Sequence, residues 1–544
     1  MTSPAPAAPT GTPGCWAPHL EDPGSFDPSR LADGGTLPAV WASRWQAVPS
    51  APVLFMGDAP GGHHLGAGCP RWWGAAEIES ATRRAAGQLA GAGLAPGERL
   101  VWSGSAASIV ACLAALRLGA VVVPANPAYT ERELGHVAGD VRPAVAVVDR
   151  PEQADWVAAA APGIRAVLAP DLSPLAGPGL PDATADAPLD RAAPEDPALV
   201  VYTSGTTGAP KGAVITHANL LAWVRTLALA WRWEEDDRLV LSLPLFHVHG
   251  LCAGLFGTLA AGASAVVLPR FSPEGVLDAA AEGGTLFFGV PTMYHRLLAS
   301  GRAGELSRLR LCVSGSAPLP APMWHELRRS ARVAVLERYG MTETGLTVSN
   351  PFSGERRPGT VGFPLPGVSG RVVPMEAAPQ AGPGAPPGGN PAGGGGEGQL
   401  LVAGPTVFAG YWERPAATEA AFDGAWFRTG DVVAADGDGY LTIRGRRHDV
   451  VISGGLNVYP AEVEDVLLTH PGVAEVAVAG EPSDEWGEEV VAWIVPAGKA
   501  PATGSLEELA AGRLAPYKRP RRYRVVDALP RNAMGKVQRD RLRE

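Results

Sequence analysis

The sequence predicts an α/β protein in two parts, a large domain over residues 36–444 and a small α+β domain over residues 445–544. Three observations carry this. A chain of 544 residues exceeds what one hydrophobic core ordinarily serves. From about residue 35 to 440, short Val/Leu/Ala runs alternate with longer Ala/Leu/Arg segments of helical period, the pattern of strands interleaved with helices. Beyond Asp449 the chain has its own apolar runs (450–452, 473–478, 490–495) and helical stretches (461–469, 505–514), enough for a second core.

Composition narrows the class. Apolar residues make up 46% of the chain and charged residues 18%, a globular rather than a disordered balance. The best apolar stretch, 106–124, carries Arg117 mid-run, so no membrane span is expected. The N-terminus has neither a basic n-region nor an apolar h-region, so secretion is not signalled. Five cysteines (Cys15, Cys69, Cys112, Cys252, Cys312) are odd in number, scattered and never spaced CxxC. That predicts no disulfide framework, no structural zinc and a reducing cytoplasm. A net charge of −10 disfavours nucleic acid as a partner. The oligomeric state is not legible.

Taken in order, residues 1–35 are rich in Pro, Ala and Gly without periodicity and read as a flexible extension. The strongest local signal is Val200-Val201-Tyr202-Thr203-Ser204-Gly205-Thr206-Thr207-Gly208-Ala209-Pro210-Lys211-Gly212, a strand entering a loop of hydroxyls, glycines and a lysine. Glycines admit backbone N–H groups to phosphate oxygens, hydroxyls add donors, and the ammonium adds charge. Pro210 and Gly212 stand where a P-loop NTPase needs Gly and Ser/Thr, which excludes that class.

Four more segments run a short apolar strand into a polar turn. They end in Phe246-His247-Val248-His249-Gly250, Pro291-Thr292-Met293-Tyr294-His295-Arg296, Ser314-Gly315-Ser316-Ala317-Pro318 and Glu337-Arg338-Tyr339-Gly340-Met341-Thr342-Glu343-Thr344. In open parallel sheets ligands bind at the carboxyl ends of strands, so these turns are expected to meet at one cleft. His247 and His249 lack a third metal ligand nearby, and Ser314 and Ser316 do not sit in a GxSxG elbow. Residues 376–398, nearly all Ala, Pro and Gly, read as a tolerated loop between strands at 370–373 and 399–402, with a lid as the lesser alternative. Asp436-Gly437-Asp438-Gly439 reads as a hairpin turn rather than a calcium loop.

Only four lysines stand among 45 basic residues: Lys211, Lys499, Lys518 and Lys536. A lysine retained against that bias marks a place where a compact ammonium is needed, and Lys211 and Lys536 both lie in motif-like turns. The tail 513–544 holds eleven basic and three acidic residues and reads either as a solvated surface or as a landing site for a polyanion.

The loop Thr203-Ser204-Gly205-Thr206-Thr207-Gly208-Ala209-Pro210-Lys211-Gly212 resembles the phosphate loop of the adenylate-forming superfamily of acyl-CoA synthetases, adenylation domains and luciferases. Tyr339-Gly340-Met341-Thr342-Glu343, Thr429-Gly430-Asp431, Gly445-Arg446, Ser453-Gly454-Gly455 and Asn532-Ala533-Met534-Gly535-Lys536 continue the likeness in the same order, over roughly residues 40 to 544. Leu243-Pro244-Leu245-Phe246-His247-Val248-His249-Gly250-Leu251 and Ser314-Gly315-Ser316-Ala317-Pro318-Leu319 are similar to bacterial malonyl-CoA synthetases. So are Glu337 through Pro351 and Gly354 through Gly362.

The resemblance implies mixed β-sheets flanked by helices, a small mobile C-terminal domain, and a reaction of ATP, a carboxylic acid and CoA through an acyl-adenylate. It implies that Thr203, Ser204, Gly205, Thr206, Thr207, Gly208 and Lys211 hold the β- and γ-phosphates, and that Glu343 coordinates Mg2+. Thr342 would contact the α-phosphate, Ser316, Ala317 and Tyr339 would border adenine, and Asp431 and Arg446 would take the ribose. Lys536 would bridge the carboxylate and the α-phosphate. Arg296 would pair with the distal carboxylate of malonate, while His247, Val248 and Met341 shape the acyl pocket. Relatives carry Asp or Lys at the hinge where this chain has His448, which implies a pH-dependent thioester step. A monocarboxylate synthetase, a carrier-protein ligase and an inactive nucleotide-binding scaffold stay open as alternatives.

Overall fold

The computed structural model describes residues 16–20, 31, 35–56, 71–172, 174–176, 187–203, 210–374, 390–391, 396–447, 449–453, 456–483, 486–531 and 536–543. Its strands form four sheets. The first has eight strands. Arg99–Ser103 lies parallel to both Val121–Ala125 and Val145–Val147, while Lys211–Thr216 runs antiparallel to Pro197–Thr203. The second has nine, with Leu336–Met341, Leu311–Ser314, Leu286–Gly289, Arg238–Leu241 and Ser264–Val267 as a parallel centre between antiparallel edges. These central strands bury both faces, so they read as continuous apolar runs rather than alternating ones: all five residues of Val121–Ala125 and all four of Ser264–Val267 are buried.

Helices Leu37–Ala47, Ala75–Gly91, Ile109–Leu118 and His217–Trp231 share one core with the facing sides of both sheets. Glu131–Val141 and Pro151–Ala160 cover the far face of the first sheet, and Pro273–Ala281 and Pro291–Ala299 that of the second. Caps set where helices begin. Thr216 Oγ1 accepts from Asn219 N at 3.1 Å, and Thr130 and Glu133 cap each other's backbone donors. Among the described residues no helix is long and apolar enough to cross a membrane.

The third sheet is antiparallel and includes Ser369–Val373, Gly396–Ala403, Trp426–Ala435 and Leu441–Arg446. The segment 376–398 therefore joins paired strands. Most of it lies outside the described residues; Asn390 and Pro391 bridge to Val372 and Arg371. Asp436 to Gly439 make the hairpin turn, with Asp436 Oδ1 accepting from the Asp438 and Tyr440 N–H groups. Arg357 neutralises the turn's carboxylates, reaching Asp436 and Asp438 at 2.7 Å each, which leaves them unsuited to calcium.

The fourth sheet starts at Val451 and has five strands, led by the long hairpin Val473–Ser483 and Gly487–Pro496, with helices Pro460–Leu467 and Thr503–Arg513 on one core. Gly445, the expected boundary, lies one residue inside the last strand of the third sheet, paired with Val432; the sheets change only after Arg446.

The few described residues of the N-terminal segment are anchored to the large domain. Trp16 is fully buried and donates from Nε1 to the Pro364 carbonyl at 2.6 Å. His19 stacks on Phe363 and meets the Ser353 carbonyl at 2.6 Å, and Leu31 is buried against Gly367. An indole hides roughly 200 Å², worth about 5 kcal/mol before ordering costs. The anchors are single side chains rather than the face of an element, so no periodicity announces them.

Candidate active site

The carboxyl ends of the parallel strands in the second sheet do gather the polar turns. Ser314 ends its strand opposite Gly289 on one side and Glu337 on the other. Next to them the π-helical turn His249–Phe256 brings His249 beneath Ser316, with Oγ 3.4 Å from Nδ1. Such a turn needs close backbone approach: a Cβ on Gly250 would lie 2.3 Å from the Pro244 carbonyl. His249 stacks on Phe288 and its backbone N–H donates to His247 Nδ1 at 3.2 Å. Val248 is buried beside them.

Into this group projects Arg338. Its side chain is 6% exposed, and among the described residues its Nε and Nη2 are buried without a hydrogen-bond partner. It passes so close to Gly315 that a Cβ there would meet the guanidinium carbon at 2.3 Å. Burial pushes the Arg338 guanidinium down to about 9. Burial, and then the Arg338 charge, lower His247 to about 4 and hold His249 well below the usual range. At neutral pH this is a buried cluster of two uncharged imidazoles and one cation whose Nε and Nη2 have no partner among the described residues. Sequence reasoning named Arg296 and did not single out Arg338. Arg296 lies apart from this group, exposed on its helix with its guanidinium over the Phe271 ring at 4.9 Å.

A second group lies along the third sheet. Asp431 and Arg446 are register partners on neighbouring strands, 2.8 Å apart, and Tyr339 donates its hydroxyl to Asp431. Arg446 Nη1 also donates to the Thr429 carbonyl at 3.2 Å. The turn Met341-Thr342-Glu343-Thr344, closed by Thr344 N donating to the Met341 carbonyl at 3.2 Å, joins two antiparallel strands. Gly345 after it has φ +63°, and a Cβ there would strike the Trp223 ring at 2.4 Å, so only glycine fits. Thr342 and Met341 are half-buried and Glu343 is buried. Burial raises the Glu343 carboxyl, while its own backbone N–H, the Tyr411 hydroxyl and Arg446 draw it back down. Tyr411 donates to Glu343 Oε1 at 2.9 Å, and its ring lies 5.2 Å from Lys211 Nζ.

Thr203 and Lys211 are register partners, so the hydroxyl-rich loop closes a β-hairpin instead of feeding a helix. Ser204, Gly205, Thr206, Thr207 and Gly208 lie outside the described residues, as does His448. Ser316 adopts φ +68° and, like Ala317, is half-buried. Lys536 reaches the same cleft from the small domain: its side chain is solvent-accessible, yet desolvation and then Arg446 press its ammonium pKa down, while Asp431 and Asp449 pull it up.

Five of the tail's eleven basic residues pair with carboxylates of the same domain. Lys518 pairs with Glu462 at 2.7 Å, Arg524 with Glu481 at 2.8 Å, Arg531 with Glu475 at 2.8 Å, Arg522 with Glu489, and Arg539 with Glu464 at 2.7 Å. These basic residues clasp acidic strands and a helix of their own domain.

The chain matches the AMP-binding enzyme family over residues 56–412 and the AMP-binding enzyme C-terminal domain over residues 462–536. It is 39% identical over 463 residues to the mitochondrial malonate–CoA ligase of Mus musculus, covering 80% of this chain and 79% of that one. The structure resembles ATP-bound MatB from Rhodopseudomonas palustris with a TM-score of 0.82, at 38% identity, over 93% of this chain and 98% of that one. Against a malonyl-CoA ligase in a ternary product complex with methylmalonyl-CoA and AMP the TM-score is 0.60, at 40% identity, over 89% and 97%.

Proposed function

The chain belongs to the AMP-binding enzyme family and is an AMP-forming acyl-CoA synthetase, and we propose that its acid is malonate or methylmalonate, held by Arg338. The observation that carries the choice of acid is the unpaired, buried guanidinium. A free carboxylate entering an acyl pocket costs several kcal/mol unless paired. A second carboxylate against Arg338 meets two unused donors in the fork geometry suited to it. His247, Val248, His249 and Met341 shape the rest of the pocket. The malonate–CoA ligase identity of the mouse relative supports the same acid.

Two half-reactions follow. A substrate carboxylate oxygen attacks the α-phosphorus of ATP, the bond to the bridging oxygen of the β-phosphate breaks, and pyrophosphate leaves. The CoA sulfur then attacks the acyl carbonyl, the thiol proton passes to solvent, and AMP leaves. Anion attacks anion in the first step, so positioned positive charge is the main requirement. Lys536 supplies it between the carboxylate and the α-phosphate, in reach of Asp431 and Arg446, which orient the ribose. Thr342 meets the α-phosphate, and Tyr339, Ser316 and Ala317 border adenine. Thr203, Lys211 and the loop between them hold the outer phosphates.

Glu343 fits a Mg2+ ion that arrives with the nucleotide: one buried hard-oxygen ligand, with no cluster of three ligating side chains among the described residues. Such an ion, held by Glu343, would supply positive charge to the phosphates and favour pyrophosphate as a leaving group. The small domain would then swing about His448 for thioester formation. The free, buried thiols of Cys112, Cys252 and Cys312 suit a reducing compartment, which we take to be the cytoplasm.

The test is AMP release with ATP, Mg2+ and CoA against malonate, methylmalonate, acetate, butyrate and octanoate. Dicarboxylates are expected to be turned over at least about 10²-fold more efficiently than acetate. Preference for a monocarboxylate would overturn the choice of acid and leave the chemistry standing.

A further inference from the structure

Tyr411 touches both halves of the phosphate site at once. Its hydroxyl donates to Glu343 Oε1 at 2.9 Å, and the Lys211 ammonium lies 5.2 Å from its ring centroid. The tyrosine is fixed from every side. Gly410 and Tyr411 form a two-residue edge strand against Val214 and Ala213, on the strand that Lys211 begins. Ala409 N donates to the Val214 carbonyl at 3.0 Å, and Trp412 N to the Gly212 carbonyl at 2.7 Å. Upstream, Phe408 N donates to the carbonyl of Glu343 itself at 2.8 Å. Downstream, Glu413 pairs with Arg142, and Arg414 with Asp140 at 2.6 Å. Asp140 also accepts the hydroxyl of Tyr202, one residue before the phosphate loop, at 2.6 Å.

We propose that Tyr411 is a positioning residue that fixes the Glu343 carboxylate for the divalent ion and the Lys211 ammonium for the outer phosphates, tying the two together. The inference rests on the reading of Glu343 as the metal carboxylate. A carboxylate on a turn rotates about its terminal torsion. A hydrogen bond to one oxygen holds the plane and leaves the other oxygen presented to the ion, and loss of such a partner typically weakens metal binding by tenfold or more. The ring acts separately. Its electron-rich face holds a lysine that pairs with no carboxylate among the described residues, and so keeps the ammonium beside the loop without neutralising it.

The two contacts separate by substitution. Tyr411→Phe keeps the ring and removes the hydroxyl; Tyr411→Leu removes both. Mn2+ is titrated into the full-length protein saturated with α,β-methylene-ATP, free Mn2+ being read by electron paramagnetic resonance. Nucleotide affinity without metal is measured in parallel by calorimetry. Tyr411→Phe is expected to weaken Mn2+ about tenfold while leaving metal-free nucleotide affinity and the unfolding midpoint unchanged, a split that a structural role alone would not produce. Excess Mg2+ should then restore AMP formation in that variant. Tyr411→Leu is expected to lose a further threefold or so in metal-free nucleotide affinity.

Glu343→Gln serves as the control. If it weakens Mn2+ binding and Tyr411→Phe does not, the positioning role is overturned. If Glu343→Gln leaves Mn2+ binding unchanged, the metal reading of Glu343 fails, and the proposal falls with it.

Discussion

Asp431 and Arg446 face each other across two antiparallel strands, Oδ1 to Nε at 2.8 Å, with the Tyr339 hydroxyl on the other oxygen of the same carboxylate. The pair is bound into sheet register, so neither partner can relax far when the other is removed. Asp431→Ala should therefore cost roughly 2 kcal/mol of stability, below the ~3–5 kcal/mol of a fully buried pair. The discount follows because 25% of the Arg446 side chain meets solvent. ATP affinity should fall more than tenfold; urea unfolding and nucleotide titration check both effects.

Arg338→Leu should separate stability from activity. Removing an unpaired buried cation is expected to stabilise the ligand-free protein by about 1 kcal/mol. The same change should lower kcat/KM for malonate by at least about 10²-fold and leave acetate within a few-fold. Arg296→Leu, on an exposed surface, should leave malonate turnover within about twofold. Steady-state assays on both acids with both variants are the check.

Glu337 sets a pH dependence of stability. Burial holds its carboxyl up to about 8, with Asp465 of the small domain adding to the effect and the backbone N–H groups of Gly359 and Leu319 opposing it. Unfolded, the group releases its proton near the ordinary value of 4.5. Between those values the folded protein binds more protons than the unfolded chain, so stability falls as pH rises from 4.5 towards 8 and levels off above it. Urea midpoints at pH 5.5, 7 and 8.5 should decline in that order, and Glu337→Gln should flatten the slope.

Trp16→Ala should destabilise the large domain by about 3 kcal/mol, the usual cost of deleting a buried aromatic. Deleting the first 34 residues should cost a similar amount. A tail without anchorage would show no change in the unfolding midpoint in either experiment.

Where the sequence spoke plainly, it spoke through repetition or unusual chemistry. Strands running into polar turns, the hydroxyl-rich loop and the scarce lysines Lys211 and Lys536 were readable because each departs from the background over several residues. The apolar runs of the small domain likewise marked its strands. Single residues were not readable in this way. Arg338 follows Glu337 in a strand whose start is apolar; both are buried, and nothing local says which of the two faces the histidines. Arg296 follows a Pro-Thr turn, and the helical step places it on the exposed face over Phe271, a position the turn alone does not specify. Tyr411 gains its meaning from contacts to Glu343 and Lys211, both distant in the chain. The basic tail looked free because its acidic partners, Glu462 through Glu489, precede it and return only through the sheet.

The strand Leu336–Met341 carries one further consequence. Successive side chains of a strand point to opposite faces, so Arg338 turns to His247 and His249 while Tyr339 turns to Asp431. On the proposed function, one stretch of backbone thus serves two substrates without sharing a side chain between them. Choice of acid can drift by single substitutions at position 338 and its neighbours around Gly315, with the adenylating chemistry inherited intact. A lineage built on this strand can broaden its diet without reinventing its catalyst, and an engineer can retrain the pocket by the same route.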